Sequence, residues 1–178
     1  MILPACSFPV ASQPGMDAGV PLDLASPDLV ARTDLHTGCQ SGEFWNPNFA
    51  PGPEMFPGRV CIQCHVDENI ATGEGDAPIF SFAGTVYRAI DEPNDCNGTA
   101  ARGAEVEVTD ARDRVFKATV NAQGNFNFTD GSFTYPLRAR VLFQGRERRM
   151  MDPVKSGDCN ACHTAAGFEG APGRIILP

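Results

Sequence analysis

From residue 79 onward, apolar and polar residues alternate with a period of two. Phe80, Phe82 and Val86 share a parity; Ala104, Val106 and Val108 alternate with Glu105 and Glu107; Phe116, Ala118 and Val120 alternate with Lys117 and Thr119. Phe126 and Phe128 alternate with Asn125 and Asn127, and Leu137, Ala139, Val141 and Phe143 with Arg138, Arg140 and Leu142. Successive side chains of a strand point to opposite faces, so each run predicts a strand with one buried face. Turn formers separate the runs at 110–113, 121–124 and 130–131. The pattern therefore predicts a small antiparallel β-sandwich over residues 79–145.

The rest of the chain has no such period. Residues 1–30 are rich in Pro, Ala, Ser, Gly and Asp and read as an extended arm. Residues 31–78 and 146–178 are interrupted by Pro51, Pro53, Pro57, Gly58, Gly157, Gly167 and Gly170, which predicts loop rather than helix. The fold class expected is mainly β with little helix. With 178 residues, the chain can build one compact core.

Charge refines this division. The net charge is -8, from 14 Lys and Arg against 22 Asp and Glu. Residues 1–78 carry 10 acids and 2 bases, whereas residues 79–178 carry 12 of each, so the deficit belongs to the N-terminal part. Binding a phosphate backbone requires clustered bases, so no nucleic-acid partner is expected. The basic strip that does exist, Arg138, Arg140, Arg146, Arg148, Arg149 and Lys155, is local, and could attract the acidic segment within one molecule or between neighbours. No apolar run approaches the roughly 20 residues that span a bilayer, so no transmembrane span is expected.

The candidate chemistry lies outside the alternating region. Cys61-Ile-Gln-Cys64-His65 and Cys159-Asn-Ala-Cys162-His163 are two copies of C-x-x-C-H, the attachment signature for c-type haem. Cysteines at i and i+3 lie about one helical turn apart, so two sulfurs can reach two vinyl groups on one porphyrin edge. The adjacent histidine then supplies the proximal nitrogen to iron. A zinc ribbon also uses paired C-x-x-C, but with roughly 15–20 intervening residues, against 94 between Cys64 and Cys159. No βαβ pattern surrounds either pair, as a thioredoxin-like site would require.

At these residues the chain resembles the multihaem c-type cytochromes. The resemblance implies two covalently attached c-type haems, export from the cytoplasm to a periplasmic, outer-membrane-attached or extracellular site in a bacterium, and one-electron transfer. Cofactor attachment is expected at Cys61, Cys64, Cys159 and Cys162, with His65 and His163 as proximal iron ligands, in two loop-built sites flanking the sandwich. Separately, the stretch from Ala83 to Gly145 is similar to the carboxypeptidase-regulatory-like, transthyretin-like β-sandwich family, which implies a scaffold and brings no catalytic residue.

Each iron has a second axial position, and His36 is the only histidine left for it. Two irons therefore cannot both be bis-His within one chain. Met55-Phe56-Pro57 and Met151-Asp152-Pro153 precede the two motifs by six and eight residues. His36, Met55 and Met151 are the candidate distal ligands, although Met also serves as a simple gap-filler. A His/His site beside a His/Met site would separate two potentials, since thioether ligation raises the potential.

Three cysteines remain. In an oxidising compartment, Cys39 and Cys96 are expected to form a disulfide across the first motif. Cys6 follows Leu3-Pro4-Ala5, which looks like the tail of a lipobox, so it is a possible lipid anchor, and export implies a signal segment upstream of Met1. Arg146, Arg148, Arg149 and Lys155 are candidates to pair with haem propionates. The function expected is an electron carrier rather than an enzyme, with redox proteins or neighbouring cytochrome subunits as partners. The alternatives are a homo-oligomeric subunit of an extracellular cytochrome filament and, with no distal acid/base set to support it, a dihaem peroxidase.

Overall fold

The structure, a computed structural model, describes residues 38–50 and 52–178. Seven strands form two sheets: β1 Phe82–Tyr87, β2 Glu105–Thr109, β3 Val115–Thr119, β4 Asn125–Phe128, β5 Arg138–Phe143, β6 Arg146–Arg149 and β7 Ile175–Ile176. One sheet has the order β4-β1-β7 and the other β3-β2-β5-β6. All pairings are antiparallel except the two-residue contact of β7 with β1. Phe82, Val86 and Phe126 of the first sheet share a core with Val106, Val108, Ala118, Leu137 and Val141 of the second. The molecule is mainly β, with a sandwich core and little helix. Five strands follow the period-two runs, while β6 and β7 carry sheet pairing beyond residue 145.

Among the described residues there are two α-helices, α1, Cys61–Thr72, and the single turn α2, Cys159–Cys162, beside two short 3-10 turns. The first motif thus opens a twelve-residue helix where loop was expected. The run from Gln63 to Thr72 holds no Pro or Gly, and Gly73 ends it in the left-handed conformation, φ 69°. Among the described residues, no helix is long and apolar enough to cross a membrane.

Strand β1 has two buried faces, which explains how the sandwich carries the motifs. Phe82 and Val86 face the core. On the other side, the Thr85 hydroxyl accepts from the Gly58 amide at 2.8 Å and donates to Asn125 Oδ1 at 2.8 Å. Gly84 is glycine because a Cβ there would stand 2.9 Å from Cβ of Cys159 and 2.8 Å from the Phe126 ring. The outer face of the second sheet is instead a ladder of alternating charge. Glu107 lies between Lys117, at 2.7 Å, and Arg140; hydrogen bonding from Lys117 outweighs burial and holds its carboxyl below the usual range.

Asp110 organises the β2–β3 turn. Its carboxylate accepts from the amides of Arg112 at 2.8 Å, Arg114 at 3.0 Å and Thr134 at 3.2 Å, and from Arg114 Nε at 2.9 Å. Burial alone would raise this carboxyl, but Arg114 and the three amides bring it down to about 2. A carboxyl depressed on folding stabilises the fold above its unfolded value near 4, and that contribution is lost as pH falls toward 2. Urea midpoints are expected to fall between pH 4 and pH 2, and to fall less in Asp110→Asn.

Candidate functional site

The two motifs, far apart in sequence, meet on the buried outer side of β1. Asp158, immediately before the second motif, is 9% exposed and turns its carboxylate onto the first turn of α1. Oδ1 accepts from the amide of Cys61 at 3.2 Å, and Oδ2 from those of Ile62 at 2.9 Å and Gln63 at 3.1 Å. The first amides of a helix have no intrahelical acceptor, and Val60 at the N-cap gives them none. Asp158 supplies that acceptor from the other motif's segment. Burial, the largest influence, pushes its carboxyl up, and the three amides oppose the rise.

Asn160 locks the contact from within the second motif. It is 1% exposed. Its Nδ2 donates to the Arg59 carbonyl at 2.8 Å and to Thr85 Oγ1 at 3.1 Å, and lies 3.8 Å from Cys61 Sγ, while its Oδ1 accepts from the Thr85 amide at 3.1 Å. Gly157 lets this segment approach: a Cβ there would lie 1.9 Å from the Ser81 carbonyl oxygen. Asp158, Asn160 and Thr85 carry no motif signature, so nothing in the sequence singled them out. Asp158 acts on backbone amides 95 to 97 residues away, and Asn160 on the Arg59 carbonyl 101 residues away.

The motif histidines are held alike. His65 Nδ1 lies 2.7 Å from the Pro78 carbonyl oxygen, and His163 Nδ1 lies 2.8 Å from that of Gly173. A carbonyl only accepts, so each ring carries its proton on Nδ1 and leaves the Nε2 lone pair free for a metal. The His65 ring also packs on Phe80, with centroids 4.7 Å apart.

Around the first motif, Met55, Phe56, Arg59, Cys61, Cys64 and His65 line one cleft that encloses about 50 Å³. The candidate ligand Met55 thus lines the same cleft as His65. Met151 is 92% exposed and lines neither this cleft nor a second cavity, of about 320 Å³, behind the first turn of α1. His36 and Cys6 lie outside the described residues. Of the propionate candidates, Lys155 lines the second cavity. Arg146, Arg148 and Arg149 sit on the exposed strand β6, where Arg148 donates to the Leu177 carbonyl at 3.2 Å and Arg149 pairs with Glu147 at 2.6 Å.

The thiols differ in setting. Burial, reinforced by Asp158, pushes Cys61 and Cys159 each up to about 12. Both therefore stay protonated at neutral pH, unlike the low-pKa attacking thiol of a C-x-x-C oxidoreductase. Cys162 is raised too, by burial and by Glu169, whose Oε2 lies 3.6 Å from its sulfur. Cys64 is disulfide-bonded. That bond and a thioether at Cys64 are mutually exclusive.

Cys39 and Cys96 form the expected disulfide. They also account for the one group of three ligand-type side chains gathered within 4.8 Å among the described residues, Cys39, Glu92 and Cys96. With its sulfurs joined to each other, that trio offers no thiolate pair. The motif cysteines form no such group, so the described residues hold no zinc-ribbon cluster.

Arg174 ties both motif segments together. It is 2% exposed, donates to the carbonyls of Gly58 at 2.9 Å and His163 at 3.2 Å, and lies 5.3 Å from the centroid of the Tyr87 ring.

No protein-family model, no curated protein and no solved structure matches the chain.

Proposed function

We propose that the protein is an exported dihaem c-type cytochrome that relays electrons between two haems attached at Cys61/Cys64 and Cys159/Cys162. The observation that carries this reading is the matched anchoring of His65 and His163, each with Nδ1 on a backbone carbonyl and Nε2 left to ligate. This is the arrangement in which a second partner fixes the tautomer and orientation of a metal-binding imidazole. Haem would supply the one-electron couple. Each motif supplies the residue types that would hold it, two cysteines and a histidine, and attachment at the first motif requires Cys64 as a free thiol.

Asp158 and Asn160 interlock the motif segments, so groups bonded at Cys61 and Cys159 are held as a pair rather than at opposite ends of the sandwich. The cleft beside His65 encloses about 50 Å³, less than a porphyrin occupies, so it would have to open to hold one. Met55 lies in that cleft and is the distal ligand best supported by position. Catalysis has no support from a constellation of acid and base groups, and electron carriage remains the reading. The Cys39–Cys96 disulfide is compatible with export.

Intact mass after expression with a cytochrome c maturation system is the direct test. Two covalent haems are expected in the parent chain and one in Cys159→Ala/Cys162→Ala. A parent chain without covalent haem overturns the proposal. Peptide mapping of the haem-loaded protein is expected to find Cys64 in a thioether and outside any disulfide.

A further inference from the structure

The cavity behind the first turn of α1 is distinct from the cleft that the first motif lines, and Phe80 is the one residue common to both. It encloses about 320 Å³, within the range of roughly 300–1,000 Å³ typical of small-molecule pockets. The first turn of α1, residues 80–81 ahead of β1, residues 131–135 between β4 and β5, and residues 155–158 ahead of the second motif all contribute to its wall.

Three of the lining side chains are aromatic. Phe133 is held by Phe116 and Phe82, with centroids 4.4 and 5.7 Å away, and Phe80 by the His65 ring at 4.7 Å. Tyr135 is 46% exposed and stands at the mouth. Such rings offer rigid apolar faces to a planar ligand, which packs on them offset or edge-on.

Two charged groups line the cavity, and one is already engaged. Asp158 turns both oxygens onto the amides of Cys61, Ile62 and Gln63. Lys155 forms no ion pair among the described residues, and its ammonium has three donors and no acceptor. A bound carboxylate would complete it. With a net charge of -8, the chain as a whole does not gather anions, so an anion held here is held locally.

The lip of the cavity is small without a backbone reason. Gly131 has no left-handed φ, and a Cβ there would meet only Ser81 Oγ, at 3.9 Å, an ordinary contact. Ser81 also lines the cavity, so any larger side chain at 131 would grow into the space that glycine leaves open.

We propose that this cavity is a binding site for a small aromatic carboxylic acid of one or two rings, packed among Phe80, Phe133 and Tyr135 with its carboxylate on Lys155. The site is additional to electron relay and does not rest on the dihaem reading.

The test is calorimetric titration of the full exported chain, with whatever haem it carries, and of the haem-free chain beside it. The probe is 2-naphthoate, with 2-naphthol as its uncharged counterpart. The parent is expected to bind naphthoate with a sub-millimolar dissociation constant, about fivefold more tightly than naphthol, which is the preference an exposed ion pair can supply. Raising the salt concentration is expected to shrink that preference. Lys155→Gln erases it and leaves naphthol binding unchanged. Gly131→Leu weakens both probes by roughly tenfold or more, because it takes up volume that the rings need. Both positions are exposed, so both variants are expected to unfold at the parent's temperature; if Gly131→Leu does not fold, Lys155→Gln decides alone. Three results overturn the proposal: no saturable naphthoate binding by the parent below about 10 mM, a preference for naphthoate that survives in Lys155→Gln, or unchanged binding of both probes in folded Gly131→Leu. Naphthoate binding confined to the haem-free chain also overturns it, and gives Lys155 to a haem carboxylate instead.

Discussion

Replacing Cys39 and Cys96 together by serine is expected to lower the unfolding free energy by about 4 kcal/mol, as read from urea unfolding. The bridge closes a loop with a sequence separation of 57 residues, and loop-closure entropy for that length gives about 4 kcal/mol at 25 °C. The native contacts across the bridge do not substitute for it. Trp45 N donates to the Asp95 carbonyl at 2.7 Å, Asn97 N to that of Glu43 at 2.8 Å, and Gln40 Nε2 to Asp91 Oδ1 at 2.6 Å. All are made only in the folded chain, so they do not restrict the unfolded ensemble as the disulfide does. A loss under about 1 kcal/mol would show that the unfolded chain is already confined there.

The same substitution bears on the candidate site. Trp45 packs against Phe56 with the rings tilted and their centroids 4.3 Å apart, and Phe56 and Met55 form a wall of the cleft beside His65. The bridge therefore holds the segment that carries the distal-ligand candidate. In a haem-loaded protein, loss of the bridge is expected to loosen that wall before the sandwich unfolds, and hydrogen exchange at residues 38–58 would rise first.

How much of this was legible in the sequence depended on what each element buries. Strands β2 to β5 were readable because each has one core face, and Val106, Val108, Ala118, Phe126 and Val141 write that face as alternation. Strand β6 was not, because all four residues of Arg146–Arg149 are exposed at the edge of their sheet. Its arginines and glutamate suit an edge that must not pair with another chain. They read as a basic strip because charge, not periodicity, is their content. Helix α1 was obscured by the Pro and Gly crowding its approach, while Gly73, the residue that ends it, lay in plain view.

The site divides along similar lines. The cysteines and histidines were legible because both copies repeat one spacing, C-x-x-C-H. The residues that bring the two motifs together were not, because a backbone amide or carbonyl has no letter in the sequence. Asp158, Asn160 and Arg174 act on such atoms at Cys61–Gln63, Arg59, Gly58 and His163. The β1 residues Gly84 and Thr85 belong with them, since close approach and a buried hydroxyl pair appear only once the sandwich is folded.

Asp158 is where fold and proposed function depend on a single side chain. Asp158→Ala leaves the first three amides of α1 without their acceptor, in a place where Asp158 itself is 9% exposed. Hydrogen bonds to a charged acceptor contribute about 1.5–3 kcal/mol each when buried, and water recovers part of that at a half-buried helix end. The expected loss of stability is about 3 kcal/mol, with Asp158→Asn losing less because its amide oxygen still accepts. Thermal unfolding is expected to fall by roughly 6–12 °C in the alanine variant for a domain of this size. Stability alone does not distinguish a cap from a link between sites. If the protein carries the two proposed haems, the distinguishing readout is their coupling in a protein that remains folded below its transition. If Asp158 fixes one motif against the other, any magnetic interaction between irons in the haem-loaded parent would be weakened in Asp158→Ala with both haems still attached, and largely restored in Asp158→Asn. If the interaction is unchanged in Asp158→Ala, Asn160 and Thr85 suffice to hold the pair, and Asp158 serves helix α1 alone.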